Sequence, residues 1–206
     1  MKYVIALLMS MWFTQIQAAG TIILLVDTSS SMTRPELNHQ LTNYSKAMRE
    51  IIHLRGVNIE VVLFDNDPAH ISSGSWKNAA DAFDRVERTR AEFRGLTCMV
   101  TALNYVETLI HSVPQPVVLD ISGDGEANCD NSPQLHDVLD RIASKGVQIN
   151  TLLVNAPKPP YDNQSPQAAY RAITRNNGFM IEAYSFYDFE EALFEKLILE
   201  VAELLP

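Results

Sequence analysis

Residues 20–27 read Gly-Thr-Ile-Ile-Leu-Leu-Val-Asp. The unbroken apolar run from Ile22 to Val26, with no polar alternation, marks a strand buried on both faces, as in a parallel sheet covered by helices. A helix follows: Thr33 is placed to cap it, Glu36 completes a capping box with Thr33, and Pro35 sits in the first turn. Leu37, Leu41, Tyr44, Met48 and Ile51 then recur at helical spacing and form one buried face. The same alternation continues down the chain. Val57–Phe64, Val117–Ile121, Val147–Val154 and Phe179–Ala183 read as strands, and His70–Ser73 as a short edge strand. Helices are expected from Ser75 through Val86, over Thr101–His111, from Ser132 to a stop at Gly146, from Ser165 to Gly178, and over Asp188–Leu205. Strand–helix alternation requires crossover connections. The expectation is a single doubly wound α/β domain over residues 20–206, its sheet mostly parallel with helices on both faces.

The 206 residues are 47% hydrophobic and 20% charged, a globular rather than a disordered composition, and eight Gly with ten Pro exclude a collagen-like chain. Sixteen basic against 25 acidic residues give a net charge of −9 with no basic run, so nucleic acid and anionic lipid are poor partners. Residues 1–19 read as a signal peptide: Lys2 starts it, Tyr3–Phe13 is almost wholly apolar, and the small residues Ala18 and Ala19 precede the first strand. That apolar run is too short to span a bilayer. The mature chain is expected to be periplasmic or secreted, without a transmembrane segment, where a disulfide is permitted.

In a doubly wound sheet, ligands bind beyond the carboxyl ends of the strands. The loops there include Asp27–Met32 (DTSSSM), Asp65–Pro68 (DNDP), Gly95–Met99 (GLTCM), Ser122–Asp130 (SGDGEANCD) and Asn155–Ser165 (NAPKPPYDNQS). Asp27 closes the first strand, and Ser29 and Ser31 follow at i+2 and i+4. Asp124 follows a later strand, and Thr97 lies in a short loop between two helical segments. Carboxylates and hydroxyls are hard oxygen donors, suited to Mg²⁺, Mn²⁺ or Ca²⁺ rather than to zinc. Two carboxylates only just neutralise a divalent ion, which would still accept an acidic ligand. Asp65 and Asp67 read as a solvated acidic turn, Asp120 lies inside a strand and is not counted as a ligand, and Phe186, Tyr187 and Phe189 read as core. The five histidines lack metal-site spacing, there is no G-x-S-x-G elbow or glycine-rich phosphate loop, and Glu126 lacks a recognisable catalytic partner.

D-x-S-x-S after the first strand, a Thr in a middle loop and Asp-Gly after a later strand resemble the metal-ion-dependent adhesion site (MIDAS) of von Willebrand factor type A (VWA) domains. Val118–Asn128, Lys145–Leu153, Gly178-Phe179 and Asp188–Glu200 look like a bacterial exported subgroup of undefined function. The resemblance implies a non-catalytic protein-binding module. Ser29, Ser31 and Thr97 would supply hydroxyls, Asp27 and Asp124 would bind Mg²⁺ directly or through water, and a partner's acidic side chain would complete the shell. Leu96 departs from the Gly-Gly-Thr usual in that subgroup. Cys98 follows Thr97 and Cys129 lies five residues past Asp124, so the two are expected to pair at one rim. Lys158 and Tyr161, in a loop too long for a simple connection, are expected to contact the partner. Two alternatives are a Mg²⁺-dependent phosphohydrolase using Asp27, which would want an acid where Ser29 stands, and a structural domain with a vestigial site.

Overall fold

The computed structural model describes residues 18–89, 95–125, 129–154 and 166–205. The expected signal peptide, Glu126, Lys158 and Tyr161 lie outside the described residues, save for Ala18 and Ala19. The elements run β1 (Gly20–Asp27), α1 (Arg34–Glu50), β2 (Val57–Phe64), β3 (Pro68–Gly74), α2 (Trp76–Thr89), α3 (Met99–Ile110), β4 (Val117–Gly123), α4 (Ser132–Ala143), β5 (Gln148–Val154), α5 (Pro166–Ile173), β6 (Met180–Ala183) and α6 (Phe189–Leu204). The sheet order is β3-β2-β1-β4-β5-β6, parallel throughout except for the edge strand β3, which runs antiparallel to β2. Strand order reverses between β1 and β4, so a crevice opens at their carboxyl ends.

β1 is buried along its whole length. Ile22, Leu24 and Val26 join the core formed with α1, α2 and α6, while Ile23 and Leu25 join the core formed with α3 and α4. The two-residue side-chain period of a strand therefore serves both layers, which explains the continuous apolar run. On the α1 face Tyr44 stacks on Phe83 with ring centroids 4.8 Å apart and meets Phe189 edge-on at 5.7 Å. The capping box at Thr33 and Glu36 forms as expected.

Several boundaries differ from the sequence reading, each for a local reason. α3 starts at Met99, ahead of Thr101, because the Asp130 carboxylate accepts from the Val100 N–H at 2.8 Å and satisfies a first-turn donor. α4 starts at Ser132 as expected, with the Asn131 side chain accepting from the Gln134 N–H as its cap. α5 ends at Ile173, well before Gly178. Asn176 and Asn177 take positive φ there, and the Asn176 amide donates to the carbonyls of Ala143 and Val147 at 2.7 and 2.8 Å. Gly178 is small for a different purpose: a Cβ on it would lie 1.9 Å from the carbonyl oxygen of Ile149. Tyr187 is 89% exposed rather than core, because Ser185 Oγ accepts from the backbone N–H groups of Tyr187 and Asp188 and turns the chain outward.

Asp120 is fully buried, away from the β4 carboxyl end, and pairs with Lys196 Nζ on α6 at 2.7 Å. Lys196 also donates to Glu200, which accepts from the Asn150 amide at 3.0 Å. Two carboxylates thus share one buried ammonium. Burial first, then Asp120, raises the Glu200 carboxyl to about 7, with Lys196 opposing. Removing the lysine leaves uncompensated acids in the core. Lys196→Met should therefore lose about 3–5 kcal/mol at pH 7 in urea denaturation. The loss should shrink toward pH 5, because acids with raised folded-state pKa values favour folding at low pH and lose that contribution as pH rises through them.

Candidate metal centre

β1 delivers Asp27 at its carboxyl end, fully buried. The chain then turns tightly. Thr28 donates to the Phe64 carbonyl through its backbone N–H at 2.8 Å and its hydroxyl at 3.0 Å, and Ser29 N–H donates to Asp27 Oδ1 at 2.8 Å. One oxygen of Asp27 therefore shapes the loop, as a short acidic side chain does in a turn. The other, Oδ2, is buried without a hydrogen-bond partner among the described residues.

The proposed ligands meet as one chain of contacts. Thr97 Oγ1 donates to Ser29 Oγ at 2.9 Å, Ser29 Oγ and Ser31 Oγ are 2.9 Å apart, and Ser31 Oγ donates to Asp124 Oδ1 at 2.6 Å. Asp27 closes the group from below: a Cβ on Gly123, the residue before Asp124, would lie 2.8 Å from Asp27 Cβ and 2.9 Å from its Oδ2. Asp27 can lie this close to the β4 backbone only because Gly123 has no side chain. All five residues singled out from sequence are thus brought together.

The electrostatics are unbalanced. Burial raises the Asp27 carboxyl to about 7, the Ser29 hydrogen bonds oppose it, and the negative charges of Asp124 and Asp65 add to it. Burial also raises Asp124, with Ser31 opposing and Glu36 adding. Neither carboxylate has an ion-pair partner among the described residues. No group of three or more His, Cys, Asp or Glu side chains placed for a metal occurs among them, so the donor set is two carboxylates and three hydroxyls. Hard oxygens around an orphaned buried carboxylate oxygen fit a hard dication.

Sequence reading missed what holds the Thr97 loop. The turn holding Asp65 and Asp67, read as a solvated acidic turn, instead binds the Thr97 loop through Asp65 and Asn66. Asp65 Oδ2 accepts from Gly95 N–H at 3.2 Å, its carbonyl accepts from Cys98 N–H at 3.0 Å, and Asn66 Oδ1 accepts from Leu96 N–H at 2.7 Å. Gly95 also binds back to the first loop, its carbonyl accepting from Ser30 N–H at 3.1 Å. Leu96 itself points outward, 52% exposed, so the departure at that position leaves the ligand side of the loop clear. Cys98 and Cys129 are joined by a disulfide, tying the Thr97 loop to the segment beyond Asp124. The expected partner contacts Lys158 and Tyr161 are not among the described residues.

A family model described as a protein of unknown function, DUF1194, matches residues 70–205. The chain belongs to that family. Thr97 and Asp124 lie inside the DUF1194 match, and Asp27, Ser29 and Ser31 precede it. No curated protein matches the chain. In three dimensions this DUF1194 chain is similar to a von Willebrand factor type A protein from Catenulispora acidiphila, with TM-score 0.67 and 13% identity over 87% of this chain and 42% of that one. It is also similar to the pilus adhesin SpaC from Lactobacillus rhamnosus GG (TM-score 0.65, 13% identity, 90% of this chain and 30% of that one). A third similar structure is proximal thread matrix protein 1 from the mussel byssus, with a zinc-occupied MIDAS motif (TM-score 0.65, 18% identity, 90% and 46%). The fold of this DUF1194 chain is therefore VWA-like. The chain spans less than half the length of these three structures.

The raised Asp27 carboxyl has a consequence for metal-free protein. Because its folded pKa exceeds the unfolded value, the unfolded chain releases this proton first, and stability falls as pH rises from about 4 to about 7. In EDTA, Asp27→Asn should remove that fall and be more stable than wild type at pH 8 by about 2–4 kcal/mol. Urea midpoints of the two proteins at pH 4.5 and 8 check this. Parallel midpoints at both pH values would contradict it.

Proposed function

We propose that the protein is a non-catalytic, metal-dependent protein-binding module that holds one divalent cation, Mg²⁺ foremost and Mn²⁺ or Ca²⁺ as substitutes. The observation that carries this reading is the contiguous oxygen cluster of Asp27, Ser29, Ser31, Thr97 and Asp124 at the strand-order reversal, with a fully buried and a half-buried carboxylate that have no counter-charge among the described residues. Asp27 and Asp124 would hold the ion by charge, and the three hydroxyls would hold it as neutral donors. A bound dication offsets the two carboxylates and offers a Lewis-acidic position to an acidic side chain of a protein partner. The zinc-occupied MIDAS motif of the mussel protein supports a metal at this place, and the adhesin SpaC supports protein binding. Ser29, a hydroxyl where a phosphohydrolase would want a second acid, favours binding over phosphoryl chemistry at Asp27.

The reading puts the protein outside the cytoplasm, periplasmic or secreted. The disulfide supports it, since such bonds persist in oxidising compartments. Among the described residues no helix is long and apolar enough to cross a membrane.

Calorimetric titration of Mg²⁺ and Mn²⁺ into EDTA-stripped protein tests this directly. Wild type should bind one ion per chain. Asp27→Ala should abolish binding while remaining folded, and Ser29→Ala should weaken it less, having lost a neutral donor. Capture of an envelope protein should require the metal and fail in EDTA. Wild type and Asp27→Ala giving the same flat titration, or Mg²⁺-dependent phosphatase turnover lost in Asp27→Ala, would overturn the proposal.

A further inference from the structure

Tyr170 on α5 is 1% exposed, and its hydroxyl has no hydrogen-bond partner among the described residues. Buried tyrosine hydroxyls are normally satisfied, and an orphaned one opposes folding. A core aromatic needing no polar contact would be better served by phenylalanine. The surroundings of the hydroxyl supply a reason for it. A Cβ on Gly123 would lie 2.3 Å from the Tyr170 hydroxyl oxygen and 2.9 Å from Asp27 Oδ2. The two orphaned oxygens of this region therefore flank the same point on the β4 backbone, separated by no more than those two distances together. They are not hydrogen-bonded to each other, yet one carries a proton to donate and the other is an acceptor. A single shared water reaches between two oxygens up to about 5.5 Å apart, which covers that upper limit.

We infer that Tyr170 is a positioning residue of the metal centre: its hydroxyl, through one bridging water, donates to the Asp27 carboxylate and holds Oδ2 toward the cation. This rests on the metal-binding reading above. Gly123 has the matching role. Its missing side chain lets the Tyr170 hydroxyl and the Asp27 carboxylate both approach the β4 backbone. Partners of this kind orient a ligating carboxylate and typically change metal affinity about 10–100-fold.

The test compares Mg²⁺ titrations of EDTA-stripped wild type and Tyr170→Phe, with denaturation of both in EDTA. Tyr170→Phe should bind Mg²⁺ about tenfold more weakly, while its metal-free stability stays near that of wild type, because the ring packing is kept and only one water-mediated contact is lost. A residue with only a packing role would show the reverse, lower stability with unchanged affinity. A second readout is the tyrosine ultraviolet difference spectrum. Saturating Mg²⁺ should perturb it in wild type, and the perturbation should vanish in Tyr170→Phe even at concentrations that saturate the variant. Wild type that binds Mg²⁺ beside a Tyr170→Phe variant within twofold of it overturns the role of Tyr170 and leaves the metal centre standing. Wild type that binds no Mg²⁺ overturns both.

Discussion

Asp27 ends β1 and Asp124 follows the end of β4, and the pairing of these parallel strands brings their negative charge to one corner of the sheet, Asp27 fully buried and Asp124 half-buried. Around that corner Gly123 gives Asp27 room, and Ser29, Ser31 and Thr97 line the two carboxylates with hydroxyls. The N-terminal turn of α1 follows directly from the serine loop. Burying like charges together opposes folding, so the fold accepts a cost there that a dication would offset.

β4 itself provides a comparison. It carries one acid in mid-strand and leads to another just past its end, with opposite fates. Asp120 meets Lys196 and shares it with Glu200, a closed arrangement that docks α6 on the sheet. Asp124, four residues on, meets hydroxyls and another carboxylate. Strand geometry alone does not distinguish them. A lysine reaching in from α6 does. The same logic governs the rim, where backbone N–H groups of the Thr97 loop bind to Asp65 and Asn66, the disulfide ties that loop to residue 129, and Asp130 caps α3. The Thr97 hydroxyl, on a loop between helices, is positioned by this scaffold rather than by its own segment.

The architecture and the five candidate ligands were legible in the sequence because each leaves a local trace. An uninterrupted apolar run identifies β1, the Thr33–Glu36 pair identifies the start of α1, and D-x-S-x-S follows directly on the strand. The structure also joins Cys98 to Cys129, the pair expected at one rim. What stayed hidden depends on contacts far apart in the chain. Asp65 and Asn66 look like any polar turn until Gly95 is placed against them 30 residues later. Nothing in the sequence sets Tyr170 apart, and only its approach to Gly123 reveals an unsatisfied hydroxyl beside Asp27. Gly178 reads as a helix stop, whereas its smallness answers to the backbone of β5. Tyr187, read as core, is turned outward by the Ser185 hydroxyl.

The central claim is that this corner of the sheet holds a divalent ion. Anomalous X-ray diffraction from crystals grown with Mn²⁺ tests it most directly. The account predicts a single strong anomalous peak per chain bounded by Asp27, Ser29, Ser31, Thr97 and Asp124. Crystals saturated with Mn²⁺ that place the ion elsewhere, with the hydroxyl chain from Thr97 to Asp124 intact and no peak beside Asp27, would contradict it.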